Sequence, residues 1–412
     1  MARPALSLLR AAVLGTALAA VPSVLSSPVP AAAQDAAQDA AAQAVRIAYL
    51  SQVVEHPPAL SNLDAVAEDE GRAGAELAIA DNTTTGRFLK QSFTLDTVMV
   101  EEGGDPAAAL KDLIAQGHRL VVLDLPAAAV AQLARLPEAQ GVLLFNAGAS
   151  DDSLRAADCA PNLLHTAPSR AMLADALAQY LVFKRWTKWF LVVGPRPEDA
   201  LYAAAIRRAA KKFGATIAAE KDWSGDFDAR RTAQAEVPIF TRAGSYDVLI
   251  AADEIGDFGD YLMYRTAEPR LVAGTQGLVP TVWHRTHEQW GAAQLQNRFR
   301  ARFKRPMLPR DYAVWAAIRA VGEAATRTQS TDTGTLVAFI EGPELTLPVF
   351  QGRPASFRPW DGQMRQPILL AADRSLVTTA PIDGYLHPRT ELDTLGFDEP
   401  ETGCKARKKA SR

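Results

Sequence analysis

The strongest constraint on this chain is a rhythm: apolar strands alternate with helices, the pattern breaks, and then it restarts. The first series opens with "VRIAYL" at 45–50, followed by a helix in "AVAEDEGRAGAELAIADN" and an alternating strand in "FTLDTVMV". In "GGDPAAALKDLIAQGHRLVVLDLP", Asp105 suits a helix N-cap, Pro106 the first helical position and Gly117 a left-handed exit. "RLVVLDL" then reads as a buried strand, "AAAVAQLARL" as a helix and "GVLLFNAG" as another apolar strand. After "HTAPS" the series repeats: a helix in "RAMLADALAQYLVFKRW", a strand in "WFLVV", a helix closed by Gly214, then strands in "ATIAAEK", "DVLIAAD" and "RLVAG". A helix is expected in "GDFGDYLMYRT". Strands alternating with helices build parallel sheets covered on both faces. Two such series predict an α/β protein with two doubly wound domains. Beyond residue 280 the pattern turns helical, in "EQWGAAQLQNRFRARF" and "RDYAVWAAIRAVGEAATR", and "FRPWDGQMRQPILLAADRSLVTTAPIDGYL" reads as hairpin strands.

The N-terminus reads as an address. Arg3 and Arg10 precede an apolar stretch, Ala11–Leu25, and "VPAAAQ" offers a cleavage site between Ala33 and Gln34. That is the layout of a secretory signal peptide over 1–33. The apolar run is short for a membrane span and contains Pro22; there is no twin arginine, and no cysteine near the cut to take a lipid. Residues 34–44 are an Ala/Gln/Asp tether. Export to a periplasm is expected, and with it pairing of Cys159 and Cys404, which would tie "ETGCKARKKASR" to the body; two unpaired thiols are the alternative. The net charge of −3 offers no basic excess for nucleic acid or an anionic membrane surface.

Signatures of catalysis are missing. There is no G-x-S-x-G elbow, P-loop or H-E-x-x-H, and no G-x-G-x-x-G after the first strand, so neither an enzyme nor a required cofactor is expected. The nearest metal candidate lies in "PTVWHRTHEQWGAAQ", where His284, His287 and Glu288 would share a helical face. No third soft ligand is near, so a helix start capped by Thr286, with Glu288 supporting its first turn, is preferred and no metal is assigned.

"GAELAIADNTTTG", "DPAAALKDLIAQGHRLVVLDLP" and "LFNAGASDDSL", in that order, resemble the type I periplasmic solute-binding proteins of branched-chain amino acid ABC transporters, over about 45–385. The resemblance implies two Rossmann-like lobes with parallel sheets, joined by three crossovers and closing on a small-molecule ligand without catalysis. It implies a permease and ATPase as partners, and a monomer is expected. Lobe one would comprise 45–165 with 281–347, lobe two 166–280 with 348–385, and 386–412 would be a tail. The family places small residues and a hydroxyl after the fourth strand; here "NAGAS" supplies Asn146, Gly148 and Ser150, with backbone N–H groups for a carboxylate. The family's acid for a ligand ammonium falls on Asp257, with Glu254 as the alternative. Two departures count against a simple amino acid ligand: "DLPAAA" lacks a serine, and Glu198-Asp199 replaces a Tyr-Gly pair.

"GLVPTVWHRTHEQWGAAQLQNRF" followed by "DYAVWAAIRAVGEA" resembles the solute-binding protein of pyrroloquinoline-quinone (PQQ)-dependent alcohol dehydrogenase systems. This implies a role linked to periplasmic alcohol oxidation and a quinoprotein dehydrogenase system, and it makes PQQ itself a candidate ligand. A flat tricarboxylate wants an aromatic face and cationic donors. On an extended crossover Trp283 and Arg285 would share one side, with His284 on the other; Trp283 and Arg285 are therefore assigned to the ligand. Trp290 and Trp315 are assigned to the core. His56, in "SQVVEHPP" at the C-terminal edge of the first sheet, is a further ligand candidate, with a loop stiffened by two prolines as the alternative. Binding of a branched-chain amino acid or amide, or a sensing role without transport, are the alternative functions.

Overall fold

The computed structural model describes residues 44–54, 67–223 and 229–408. The signal peptide, the tether short of its last residue, and His56 lie outside the described residues. The first unit runs β1 (Ala44–Gln52), α1 (Arg72–Leu89), β2 (Ser92–Val100), α2 (Pro106–Ala115), β3 (Leu120–Asp124), α3 (Ala127–Ala134), β4 (Leu143–Asn146) and β5 (Leu163–His165). Its five strands lie in the order β2-β1-β3-β4-β5, all parallel. β3 and β4 are buried along their whole length, which is why they read as continuous apolar runs rather than alternating ones. Asp105 caps α2 through the Ala107 N–H at 2.8 Å, ahead of Pro106, as the local chemistry requires.

The second unit repeats the plan with α4 (Arg170–Phe183), β6 (Lys188–Val193), α5 (Pro197–Phe213), β7 (Thr216–Asp222), α6 (Ala229–Phe240), β8 (Val248–Ala252) and β9 (Leu271–Gly274). The sheet order is β7-β6-β8-β9, again parallel. The helix expected in "GDFGDYLMYRT" shrinks to one turn, Gly259–Leu262, and Tyr264 beyond it is left-handed at φ 62°. The parallel α/β architecture expected from the alternation is therefore present in both series.

The chain then returns to the first sheet through β10 (Val279–Thr281) and adds α7 (Ala292–Phe303), α8 (Pro309–Thr328) and α9 (Thr333–Glu341). Helix α8 lies along α1: Asn82 donates to the Ile318 carbonyl at 2.9 Å and Gln91 to that of Ala325 at 2.8 Å. Gly74 allows this approach, because a Cβ there would sit 2.0 Å from the Asp311 carbonyl oxygen. Backbone cannot swing aside as a side chain can, so Gly74→Ala is expected to cost about 1–3 kcal/mol through overpacking, read from urea melts.

Two short antiparallel pieces follow. The hairpin β11 (Ser356–Phe357) and β12 (Met364–Arg365) docks on the edge of the first sheet, where His165 N–H donates to the Gly362 carbonyl at 2.9 Å and Phe357 meets Phe145 at 6.2 Å. The strands β13 (Ile368–Ala372) and β14 (Ser375–Ala380) join β10 in a sheet packed on α4. The chain thus stays with the first lobe until Gln366, which is fully buried and donates to the Thr166 carbonyl of the first crossover at 2.8 Å. Cys159 and Cys404 form a disulfide, with Cα atoms 5.6 Å apart. No helix among the described residues is long and apolar enough to cross a membrane.

Candidate functional site

In open parallel sheets, ligands gather outside the C-terminal ends of the strands. Here those ends belong to two sheets, and one side chain ties them together. Arg170, the first residue of α4, is almost fully buried. Its guanidinium grips Glu254, just past β8, through Nε at 2.9 and 3.1 Å and Nη2 at 2.6 Å. It also reaches Asp151, past β4, at 3.0 Å. A cation at a helix N-terminus works against the helix dipole, and the two carboxylates reverse that. Burial alone would lower the pKa of Arg170, but Glu254 and Asp151 outweigh it and hold the charge more firmly than usual. Burial raises the Glu254 carboxyl, and Arg170 opposes that shift.

The surrounding loops are fixed from beneath. On the second lobe Asp199 is fully buried near the start of α5 and accepts from the Glu254 N–H at 2.8 Å and the Arg196 N–H at 3.1 Å. It therefore sets the spacing of the β6 and β8 loops, and burial pushes its own pKa up. Asp253 accepts from the N–H groups of Gly256, Asp257, Phe258 and Gly259 at 2.6–3.1 Å. Arg196 and Asp257 pair across these loops at 2.6 Å. On the first lobe the Tyr49 hydroxyl donates to Asp124 at 2.7 Å, and Arg310 lies 3.5 Å from the same carboxylate. Arg310 keeps 41% of its side chain accessible although acidic groups, Glu70 among them, surround it. A shallow depression lined by Thr241, Tyr246 and Glu268 sits at the opposite, N-terminal edge of the second sheet.

The assigned residues divide between this edge and the interior. Asn146 is fully buried, and its amide is spent on the turn itself: it donates to the Ala149 carbonyl at 2.7 Å and accepts from the Ala149 N–H at 2.9 Å. It shapes the turn rather than facing a ligand, which corrects its assignment. Gly148 is half-buried, and a Cβ there would meet Asp124 at 2.5 Å, so glycine is required by the packing of two loops. Ser150 is half-buried at the same edge, and its carbonyl accepts the Arg170 N–H at 2.9 Å. Asp257 and Glu254 both lie there, each already paired with an arginine.

Trp283 is the main correction. It is fully buried, stacked on Tyr312 at 4.7 Å with His287 edge-on at 5.7 Å, so it cannot stack on a cleft ligand in this arrangement. Arg285 is also displaced: it pairs with Asp373 on the β13–β14 hairpin, at an exposed surface. Trp290 reverses its expected burial, with 66% of its surface accessible at a left-handed φ of 58°, whereas Trp315 is in the core. The helix expected to be capped by Thr286 begins only at Ala292, because Trp290 and Gly291 are both left-handed. His284 bonds Thr286 at 2.7 Å and His287 the Phe350 carbonyl at 2.8 Å, so the two rings serve different partners. Among the described residues no three His, Cys, Asp or Glu are grouped to hold a metal.

Sequence reasoning missed Arg170, Asp151, Asp124 and Arg310. One signal was present: an arginine opening a helix right after a Ser cap calls for nearby carboxylates. Which carboxylates answer it is set by the fold, since Glu254 lies 84 residues away.

Two lobes with facing C-terminal strand ends, linked by three crossovers, define a solute-binding clamshell. Residues 58–372 match the family described as periplasmic binding protein, and the chain belongs to that family. Among solved structures it resembles a branched-chain amino acid ABC transporter ligand-binding protein from Burkholderia xenovorans, 14% identical over 88% of this chain and 100% of that one, with a TM-score of 0.67. It also resembles a leucine-, isoleucine-, valine-, threonine- and alanine-binding protein from Brucella ovis in a closed conformation, at 16% identity, 84% and 97% coverage and a TM-score of 0.65. A solute-binding protein from R. palustris in complex with benzoate is 14% identical over 88% and 99%, with a TM-score of 0.60. At these identities the likeness is one of fold. No relative is found among curated proteins.

Proposed function

We propose that this protein is the periplasmic solute receptor of an ABC importer, capturing one small organic solute between its lobes and presenting it to a membrane permease. The observation that carries the reading is the Asp151–Arg170–Glu254 contact, which joins the ligand-gathering edges of both sheets of a periplasmic binding protein through one guanidinium. A group held this way changes its surroundings whenever the lobes separate, so solute capture and lobe closure are coupled.

The edge carries Glu70, Asp124, Asp151, Asp199, Asp253, Glu254 and Asp257 against Arg170, Arg196 and Arg310. That excess of carboxyl groups favours a solute that brings little negative charge, such as an amino acid or amide, over a tricarboxylate. Placement in a PQQ-dependent alcohol-oxidation system, with PQQ as the solute, is a second reading; it rests on the stretch "GLVPTVWHRTHEQWGAAQLQNRF". Calorimetric titration of the mature protein with leucine, leucinamide and PQQ separates the readings. One-to-one binding of leucine or leucinamide, weakened at least about tenfold (1.4 kcal/mol) by Glu254→Gln, is expected. Saturable binding of PQQ alone would favour the second reading. Turnover of a bound solute would overturn the receptor role. Arg285→Ala is expected to leave any of these affinities unchanged and to shift stability by under about 1 kcal/mol, because its pair with Asp373 is solvent-exposed.

A further inference from the structure

The C-terminal segment touches both lobes in quick succession. Asp393 is buried and accepts from Arg358 at 2.9 Å and Arg365 at 2.8 Å, both on the β11–β12 hairpin docked against the first sheet. Arg358 also donates to the carbonyls of Leu392 at 3.1 Å and Leu395 at 2.7 Å. The very next residue is held by the second lobe, where Gln179 of α4 donates to the Thr394 hydroxyl at 3.2 Å. Lys212 of α5 donates to the Thr394 carbonyl at 2.9 Å and the Gly396 carbonyl at 3.0 Å, and Arg208 to the latter at 2.8 Å. The Gly396 N–H donates to Asp175, a fully buried carboxylate that also pairs with Arg208 and Lys212. The Arg208 guanidinium lies 4.2 Å from the centre of the Phe397 ring. The chain then crosses back: Cys404 is bonded to Cys159, and Arg407 donates to the carbonyls of Pro161 and Leu163, each at 2.9 Å.

We propose that residues 391–407 form a strap that couples the two lobes and limits how far the clamshell opens. Asp393 and Thr394 are adjacent, so no slack separates the first-lobe anchor from the second. Any rotation about the crossovers that parts the β11–β12 hairpin from α4 and α5 must break one set of these hydrogen bonds, most of them charge-assisted and several buried. The far end is fastened covalently, so the strap cannot yield by peeling from its terminus. The strap acts whichever solute the cleft takes.

The test uses the mature, ligand-free protein with two variants, Asp393→Asn and the pair Cys159→Ser/Cys404→Ser. Hydrogen exchange is followed at the crossovers, Thr166–Ser169 and Gln366–Ile368, alongside small-angle scattering. A strap predicts exchange at the crossovers about tenfold faster in both variants, with a larger radius of gyration, while β3 and β8 keep their rates. Faster exchange confined to 391–407, with crossovers and scattering as in the unaltered protein, would reduce the segment to a local clip and overturn the proposal. Should the cysteine pair variant not fold, Asp393→Asn decides alone, since it keeps the shape of the side chain and the disulfide.

Discussion

Arg170→Met is expected to lower the unfolding free energy by about 3–5 kcal/mol at neutral pH, because it strands two carboxylates around a buried position. The Arg170 side chain is 5% accessible, and Asp151 and Glu254 keep only 23% and 21%, so water cannot replace the guanidinium cheaply. The loss should depend on pH with a definite sign. Burial already holds the Glu254 pKa above its ordinary value, and Arg170 opposes that shift. Removing the arginine therefore raises the folded-state pKa further above the unfolded one. A carboxyl shifted upward destabilises the fold when it must be charged, and the penalty fades as pH falls and the folded state takes up the proton first. The gap between Arg170→Met and the unaltered protein should thus narrow from pH 7.5 to about pH 5, because Glu254 of the variant takes up its proton before that of the unaltered protein does. Urea melts at the two values check this. A gap that stays constant or widens toward acid would mean the cost is lost packing of the arginine stem rather than stranded charge. Arg170→Lys restores charge without the two-pronged grip on Glu254 and should recover only part of the loss.

The fold was legible because its signals are local. β3 and β4 are continuous apolar runs because helices cover both faces of their sheet, and the Asp105-Pro106 start of α2 needs only neighbouring residues to specify it. The site was less legible because its contacts are distant. Arg170 finds Glu254, Tyr49 finds Asp124 and Arg310 finds the same Asp124 only after the sheets have formed. The stretch around Trp283 misled for a related reason. Alternation on an extended segment gives two faces but not which of them meets the interior. Tyr312 of α8 supplies a stacking partner that draws Trp283 inward, and the left-handed turn at Trp290 and Gly291 sends the next tryptophan outward. Asn146 shows the same limit on a smaller scale: a polar residue in a turn at the sheet edge can be required by the turn's own backbone.

Replacing Cys159 and Cys404 together with serine is expected to cost up to about 5 kcal/mol, the chain-entropy value for a loop this long. The bonded residues are 245 apart, so the cross-link restricts most of the unfolded chain, whereas the folded state already positions the two ends. Noncovalent anchors at Asp393, Gly396 and Arg407 let the chain still fold without the bond, although a strap free to peel from its end restrains the lobes less, so most of the loss should fall on the unfolded side of the balance. That origin gives the variant a signature distinct from Arg170→Met. Relaxing the unfolded chain should raise the urea m-value, because more surface is exposed on unfolding, and the deficit should be nearly independent of pH. Equilibrium urea melts of the oxidised protein and the double variant at pH 7.5 and about pH 5 measure both properties. A loss under about 1 kcal/mol with an unchanged m-value would show that the unfolded chain is already compact around the tail, and that the disulfide contributes to the fold locally rather than by closing the loop.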